Sequence, residues 1–103
     1  MDQYSDYADE VVGKAREAGA ILAQQDQEQT DRIVHAIFRA AFAARVELAR
    51  RASDETGIGY FEHKVQKNAW ASLLVYEDII HRKTVGVLGE NHRKGMMDIA
   101  QPK

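Results

Sequence analysis

Four histidines, His35, His63, His81 and His92, are the first side chains to weigh, because neutral imidazole binds metals and shuttles protons near neutral pH. No two of them stand four residues apart, and the chain has no cysteine to complete a tetrahedral zinc set. The same lack removes a thiolate nucleophile and any disulfide from this chain. Asp54, Glu55 and Glu62 flank a glycine turn. Acid–base chemistry would need surroundings that drive such carboxylates apart in pKa, whereas helix caps, dipole partners and solvated charges account for them more simply. Gly57-Ile58-Gly59 lacks the third glycine of a dinucleotide fingerprint and follows a helical pattern, not a strand. The loop from Gly89 to Gly95 carries His92, Arg93 and Lys94 but lacks the spacing of a phosphate-binding loop, so it reads as a solvated hairpin tip. Met96-Met97 and Tyr4/Tyr7 are packing groups. Residue chemistry alone therefore assigns no catalytic, cofactor-binding or metal-binding residue to this chain.

The elements that would have to position any site are mostly helical. Over a segment from about Ser5 to Gln25, apolar residues recur at steps of three and four (Tyr4, Tyr7, Ala8, Val11, Val12, Ala15, Ala18, Leu22), the stripe of an amphipathic helix. Gly13 and Gly19 weaken it by about 1 kcal/mol each relative to Ala. Asp26 with Gln29 three residues on has the form of a capping box and starts a second helix. Its face carries Ile33, Val34, Ile37, Phe38, Ala41 and Phe42, and helical character persists to about Thr56. That span is long for one straight helix, so a bend near Ala41 to Arg45, or two helices, is expected. Gly57 ends it, since glycine adopts the left-handed conformation without a Cβ penalty. The last helix runs from Tyr60 to Arg82 with Phe61, Val65, Ala69, Leu73, Tyr76 and Ile80 in one stripe, widened by Trp70, Leu74 and Ile79. So broad a face requires a large partner, and some of these side chains are expected to form an exposed patch in this chain alone. Thr84 to Leu88 reads as a strand, Gly89 to Gly95 as a turn and Met96 to Ala100 as the return strand. An isolated hairpin is marginal in water, and the chain stops just after it, which suggests truncation.

Composition narrows the classes further. At 45% hydrophobic and 29% charged residues over 103 positions, disorder is not the default. The net charge is −2, with both signs interleaved, so the basic stripe of a nucleic-acid binder is missing. No apolar run approaches the roughly 20 residues of a membrane span, and the acidic start Met1-Asp2-Gln3-Tyr4-Ser5-Asp6 is unlike a secretory signal. Lack of cysteine fits the cytoplasm.

The run Asp54-Glu55-Thr56-Gly57-Ile58-Gly59-Tyr60-Phe61-Glu62-His63-Lys64-Val65-Gln66-Lys67-Asn68 resembles the E-[ST]-G-x-G-x-x-E-x-K-x-x-K-N stretch near the start of CoA-acylating aldehyde dehydrogenases, including the dehydrogenase half of bifunctional aldehyde-alcohol dehydrogenases. Gln27 to Ile33 resembles the start of their second helix. Lys83-Thr84-Val85-Gly86-Val87-Leu88 is similar to their K-T-x-G-V-L strand, and Ile99-Ala100-Gln101-Pro102 to I-A-E-P, with Gln101 in place of Glu. The resemblance covers essentially the whole chain, most clearly from Gln27 onward. It implies an enzyme that binds NAD, attacks an aldehyde with a cysteine thiolate and passes the acyl group to coenzyme A, acetaldehyde being the commonest substrate. The nucleotide-binding segments and that cysteine would lie beyond Lys103.

The expected fold is thus mostly α with a C-terminal β-hairpin, an N-terminal fragment of an α/β aldehyde dehydrogenase fold. Residues 1–82 would form a helical segment packing on an NAD-binding domain outside this chain. Residues 83–103 would form a hairpin of oligomerisation type and the start of the link to the nucleotide-binding sheet. The resemblance further implies the remainder of the dehydrogenase as partner, homo-oligomerisation through the hairpin, and NAD and coenzyme A bound by the parent enzyme rather than by this chain; charge, hydropathy and the lack of cysteine point to no nucleic-acid or membrane partner and a cytoplasmic setting, a bacterial microcompartment included. The rival reading is a free-standing helical interaction module without enzymatic activity.

Overall fold

A computed structural model describes residues 2–102; Met1 and Lys103, the outer limits of the two segments expected from sequence, lie outside the described residues. Helix α1 spans Gln3–Leu22, starting two residues before and ending three before the expected Ser5 to Gln25. Asp2 is extended (φ −79°, ψ 128°) and its Oδ1 accepts from the Tyr4 N–H at 3.2 Å, an N-cap that satisfies one orphan donor of the first turn. No residue of α1 is buried.

Helix α2, Gln27–Ala43, begins at the capping box foreseen from the sequence. The Gln29 N–H donates to Asp26 Oδ1 at 2.8 Å, and the Asp26 N–H donates to Gln29 Oε1 at 2.9 Å, so two end donors are satisfied reciprocally. The expected break in the long helical span is a one-residue interruption: Ala44 (φ −88°, ψ 3°) separates α2 from α3, Arg45–Thr56. Neither proline nor glycine causes it. Arg45 does the holding, because its Nη1 folds back to donate to the Phe42 carbonyl at 2.8 Å while its guanidinium carbon sits 4.1 Å from the Phe42 ring centroid. A carbonyl freed by the break thereby finds a charged donor.

Gly57 closes α3 in the left-handed region (φ 62°), with its N–H donating to the Ser53 carbonyl at 2.8 Å. The chain re-enters helix after extended Tyr60 as α4, Phe61–Ala69. The sequence indicated one α-helix to Arg82. The structure instead inserts a π-helical turn, Trp70–Leu74, before α5, Val75–Ile79. The reason lies in the spacing of the stripe. Each four-residue step overshoots a full α-turn by about 40°, so Phe61, Val65, Ala69 and Leu73 would drift by about 120° along a straight α-helix. One looped-out residue takes back about 100° and keeps the stripe in line. Ser72 stabilises the wide turn, its hydroxyl reaching the Asn68 carbonyl at 2.6 Å and the Ala69 carbonyl at 3.3 Å.

Strands β1, Gly86–Asn91, and β2, Met96–Ala100, pair antiparallel. Gly86 faces Ala100 and Val87 faces Ile99; the register then skips Leu88, so that Gly89 faces Asp98 and Asn91 faces Met96. The skip is a bulge, which bends and twists the strand. The first strand was expected at 84–88 and the turn at 89–95. Both are corrected: β1 starts at Gly86 (φ 85°) because the Thr84 and Val85 N–H groups are taken by Gln27, and Gly89 to Asn91 pair with β2 instead of turning. The connection is residues 92–95, closed by the Lys94 N–H to the carbonyl and side-chain oxygens of Asn91, each at 3.2 Å.

By contact density the chain forms two compact units. One holds the chain up to Thr30 together with the stretch from Lys83 onward, and the other is Asp31–Arg82. Among the described residues only Ala49 and Pro102 are buried. The apolar stripe of the last helical span (Phe61, Val65, Ala69, Leu73, Tyr76, Ile80) is half-buried, while Trp70, Leu74 and Ile79 are exposed, as the breadth of that face indicated.

Candidate functional site

Within the unit Asp31–Arg82, aromatic groups join α2 to α5. Phe38 stacks on Tyr76 with centroids 4.3 Å apart and planes 5° from parallel, His35 lies 5.8 Å from Tyr76, and Phe42 lies 6.0 Å from Phe38. Ring stacking of this kind adds to the stabilisation from the area that the rings bury. A second joint connects α3 to the last helical span. Asn68 Nδ2 donates to the Arg45 carbonyl at 3.0 Å, and the Arg50 guanidinium sits 4.7 Å from the Phe61 ring centroid.

Between these joints lies an open groove of about 290 Å³. Val34, Ile37, Ala41, Leu48, Val75 and Ile79 line it along with the stacked pair, and Asn68 and Ser72 are its polar members. Asn68 spends its amide on Arg45 and Ser72 its hydroxyl on backbone carbonyls, so both are already engaged at helix joints. What such a surface can do is bind another apolar surface. It offers no converging set of acid, base and nucleophile of the sort covalent or acid–base catalysis requires.

The residues weighed for chemistry are dispersed. His35 belongs to the aromatic cluster, His63 stands edge-on to Tyr60 at 5.3 Å, and His92 Nε2 lies 3.3 Å from a Glu90 oxygen at the hairpin tip. All four histidines are exposed. Among the described residues no three His, Cys, Asp or Glu side chains gather as a metal site would require. The turn Gly57-Ile58-Gly59 connects two helices, and Lys64 covers it: its Nζ lies 3.6 Å from where a Cβ on Gly59 (φ 76°) would stand. The Asn91-to-Gly95 tip is exposed throughout.

Two residues that the sequence did not single out are Gln27 and Arg45. Gln27 Oε1 accepts from the Thr84 and Val85 N–H groups, 57 and 58 positions away, and its Nε2 donates to Thr84 Oγ1. Nothing in local spacing could announce a contact at that separation. Arg45 had a faint signal, since a long helical span without Pro or Gly needs a side chain to hold any break.

No family model matches the chain. It is 40% identical over 92 residues to the bifunctional aldehyde-alcohol dehydrogenase AdhE of Escherichia coli (strain K12), an alignment covering 89% of this chain and 10% of that protein. It is 36% identical over 94 residues to the sulfoacetaldehyde dehydrogenase (acylating) of Cupriavidus necator, covering 89% of this chain and 19% of that one. The crystal structure of a probable aldehyde dehydrogenase from Listeria monocytogenes EGD-e superposes with a TM-score of 0.84 at 39% identity, over 91% of this chain and 21% of that chain. The chain thus spans between a tenth and about a fifth of these proteins.

Proposed function

We propose that this chain, which belongs to the acylating aldehyde dehydrogenase family and matches an N-terminal segment of those enzymes, serves as a scaffolding part of an NAD-dependent, CoA-acylating aldehyde dehydrogenase. The parent reaction converts an aldehyde, CoA and NAD to acyl-CoA and NADH, with acetaldehyde the first substrate to test. In that parent enzyme NAD would supply the hydride acceptor and CoA the thiol that takes the acyl group, with the cysteine nucleophile coming from outside this chain. This chain has no cysteine, so its own atoms form no thioester. Nor do its described residues suit the nucleotide: the two-glycine turn follows a helix, and the groove is mostly apolar, its polar members Asn68 and Ser72 being engaged at helix joints.

The observation that carries the reading is the apolar groove on helices that bury almost nothing of their own, in a segment homologous to much longer dehydrogenases. Such a face is stable in water only when another surface covers it. The hairpin supports an assembly role. It is two strands wide, its outer edges are unpaired within the sheet, and Met96, Met97 and Ile99 are exposed, which suits addition to a sheet across a subunit boundary.

The test is a chimera in which this chain replaces the matching segment of the E. coli enzyme, assayed for acetaldehyde- and CoA-dependent NADH formation beside the isolated chain. We expect turnover from the chimera and none above a no-protein control from the isolated chain. A chimera that fails to assemble, beside an isolated chain that is stable and monomeric with its groove closed to hydrophobic dye, would favour the free-standing module instead.

A further inference from the structure

At the root of the hairpin a side chain from α2 binds the backbone. Gln27, in the first turn of α2, receives the Thr84 N–H at 2.7 Å and the Val85 N–H at 2.9 Å on Oε1, and donates from Nε2 to Thr84 Oγ1 at 3.0 Å. Two consecutive backbone donors thus converge on a single amide oxygen, and the strand ladder begins only after them, at Gly86. A two-stranded hairpin whose Met96, Met97 and Ile99 are all more than half exposed draws little orientation from packing. Where its root is tied therefore bears on its direction.

We infer that Gln27 is the positioning residue of the hairpin: by fixing Thr84 and Val85 to the first turn of α2, it sets how β1 and β2 are presented to a neighbouring chain. The inference rests on the assembly role proposed above. The active feature is the acceptor oxygen, not the bulk of the side chain. Gln27→Glu keeps an acceptor for both N–H groups and places a negative charge in the first turn of a helix, where it is favoured, and the Thr84 hydroxyl can rotate to donate to it. Gln27→Leu keeps the volume and loses the acceptor.

Two readouts test this. Amide hydrogen exchange at Thr84 and Val85 reports the clasp in this chain, and light scattering of the full-length enzyme carrying this segment reports assembly. We expect Gln27→Leu to speed exchange at both amides about tenfold, the equivalent of one lost hydrogen bond, and to shift the enzyme toward smaller oligomers. Gln27→Glu should hold both readouts near those of the unaltered protein. Unchanged exchange in Gln27→Leu overturns the inference, as does failure of Gln27→Glu to restore protection. If exchange rises while oligomer size stays constant, Gln27 does not govern assembly and the inference also falls. Val87→Pro, which disrupts the hairpin itself, then separates the two levels: smaller oligomers leave the hairpin's assembly role standing, and unchanged oligomers remove it.

Discussion

Gly13 and Gly57 should respond to the same substitution with opposite signs. A Cβ added at either position meets nothing within 4 Å, so steric collision contributes to neither. What differs is the backbone. Gly57 is left-handed at φ 62°, where an L-residue other than glycine costs about 1–2 kcal/mol. Alanine also narrows the unfolded ensemble, which returns about 0.4–1 kcal/mol. The net for Gly57→Ala is a destabilisation of about 1 kcal/mol. Gly13 sits inside α1 and lacks a positive φ, so Gly13→Ala should stabilise by about 0.5–1 kcal/mol, the ordinary difference in helix propensity. The two residues belong to different compact units, so each is best read locally. Hydrogen exchange of the α1 amides should slow about two- to fivefold in Gly13→Ala, and that of the last turn of α3 should quicken by about fivefold in Gly57→Ala, both following from a tenfold change per 1.4 kcal/mol. If Gly57→Ala were neutral or stabilising, the left-handed helix stop would carry no energy and the argument from φ would be wrong. Equal signs at the two sites would refute it as well.

Two further substitutions probe the helix ends. Asp26→Ala removes the side-chain acceptor of the capping box and should destabilise the start of α2 by about 1 kcal/mol, measured as faster exchange at the Gln29 amide, whose N–H donates to Asp26 Oδ1. Arg45→Ala strips the Phe42 carbonyl of its charged donor and the ring of its cation, a loss of about 1–2 kcal/mol in urea unfolding monitored by the helical circular dichroism signal; Arg45→Lys should recover only part of it, because an ammonium lacks the planar fork.

The helical half of the fold was legible because its signals are local. Asp26 and Gln29 announce a helix start through a reciprocal bond that spans three residues, and Gly57 announces a stop through its own φ. The break between Ala41 and Arg45 followed from length alone, and what holds it, Arg45 turned back on Phe42, is also local but has no distinctive spacing. The π-turn was present in the sequence as three successive four-residue steps, Phe61, Val65, Ala69, Leu73, yet apolar stripes tolerate some drift and the steps looked like an ordinary helix face. The hairpin was placed correctly in the chain and wrongly by two or three residues in its first strand. Alternating Val85 and Val87 suggested a start at Thr84, but Gln27, nearly sixty positions away, had claimed those donors. As for the site, the groove exists only once α2, α3 and the last helical span are set beside one another, which no local spacing announces.

The shortage of buried residues also determines how this chain should behave in a calorimeter. Unfolding raises the heat capacity because apolar surface that was dry becomes hydrated, by about 1.2–1.5 kcal/mol/K for a typical 100-residue domain. Here Trp70, Leu74, Ile37 and Ile99 are already wet in the folded chain, and Ala49 is the whole of the buried hydrophobic core among the described residues. The increment should fall well below that range, which flattens the dependence of stability on temperature and leaves a shallow, broad transition. Covering the groove, which Ile37 lines, would restore part of the missing increment, so a negative change in heat capacity on association belongs to the contact and not to the chain that forms one side of it.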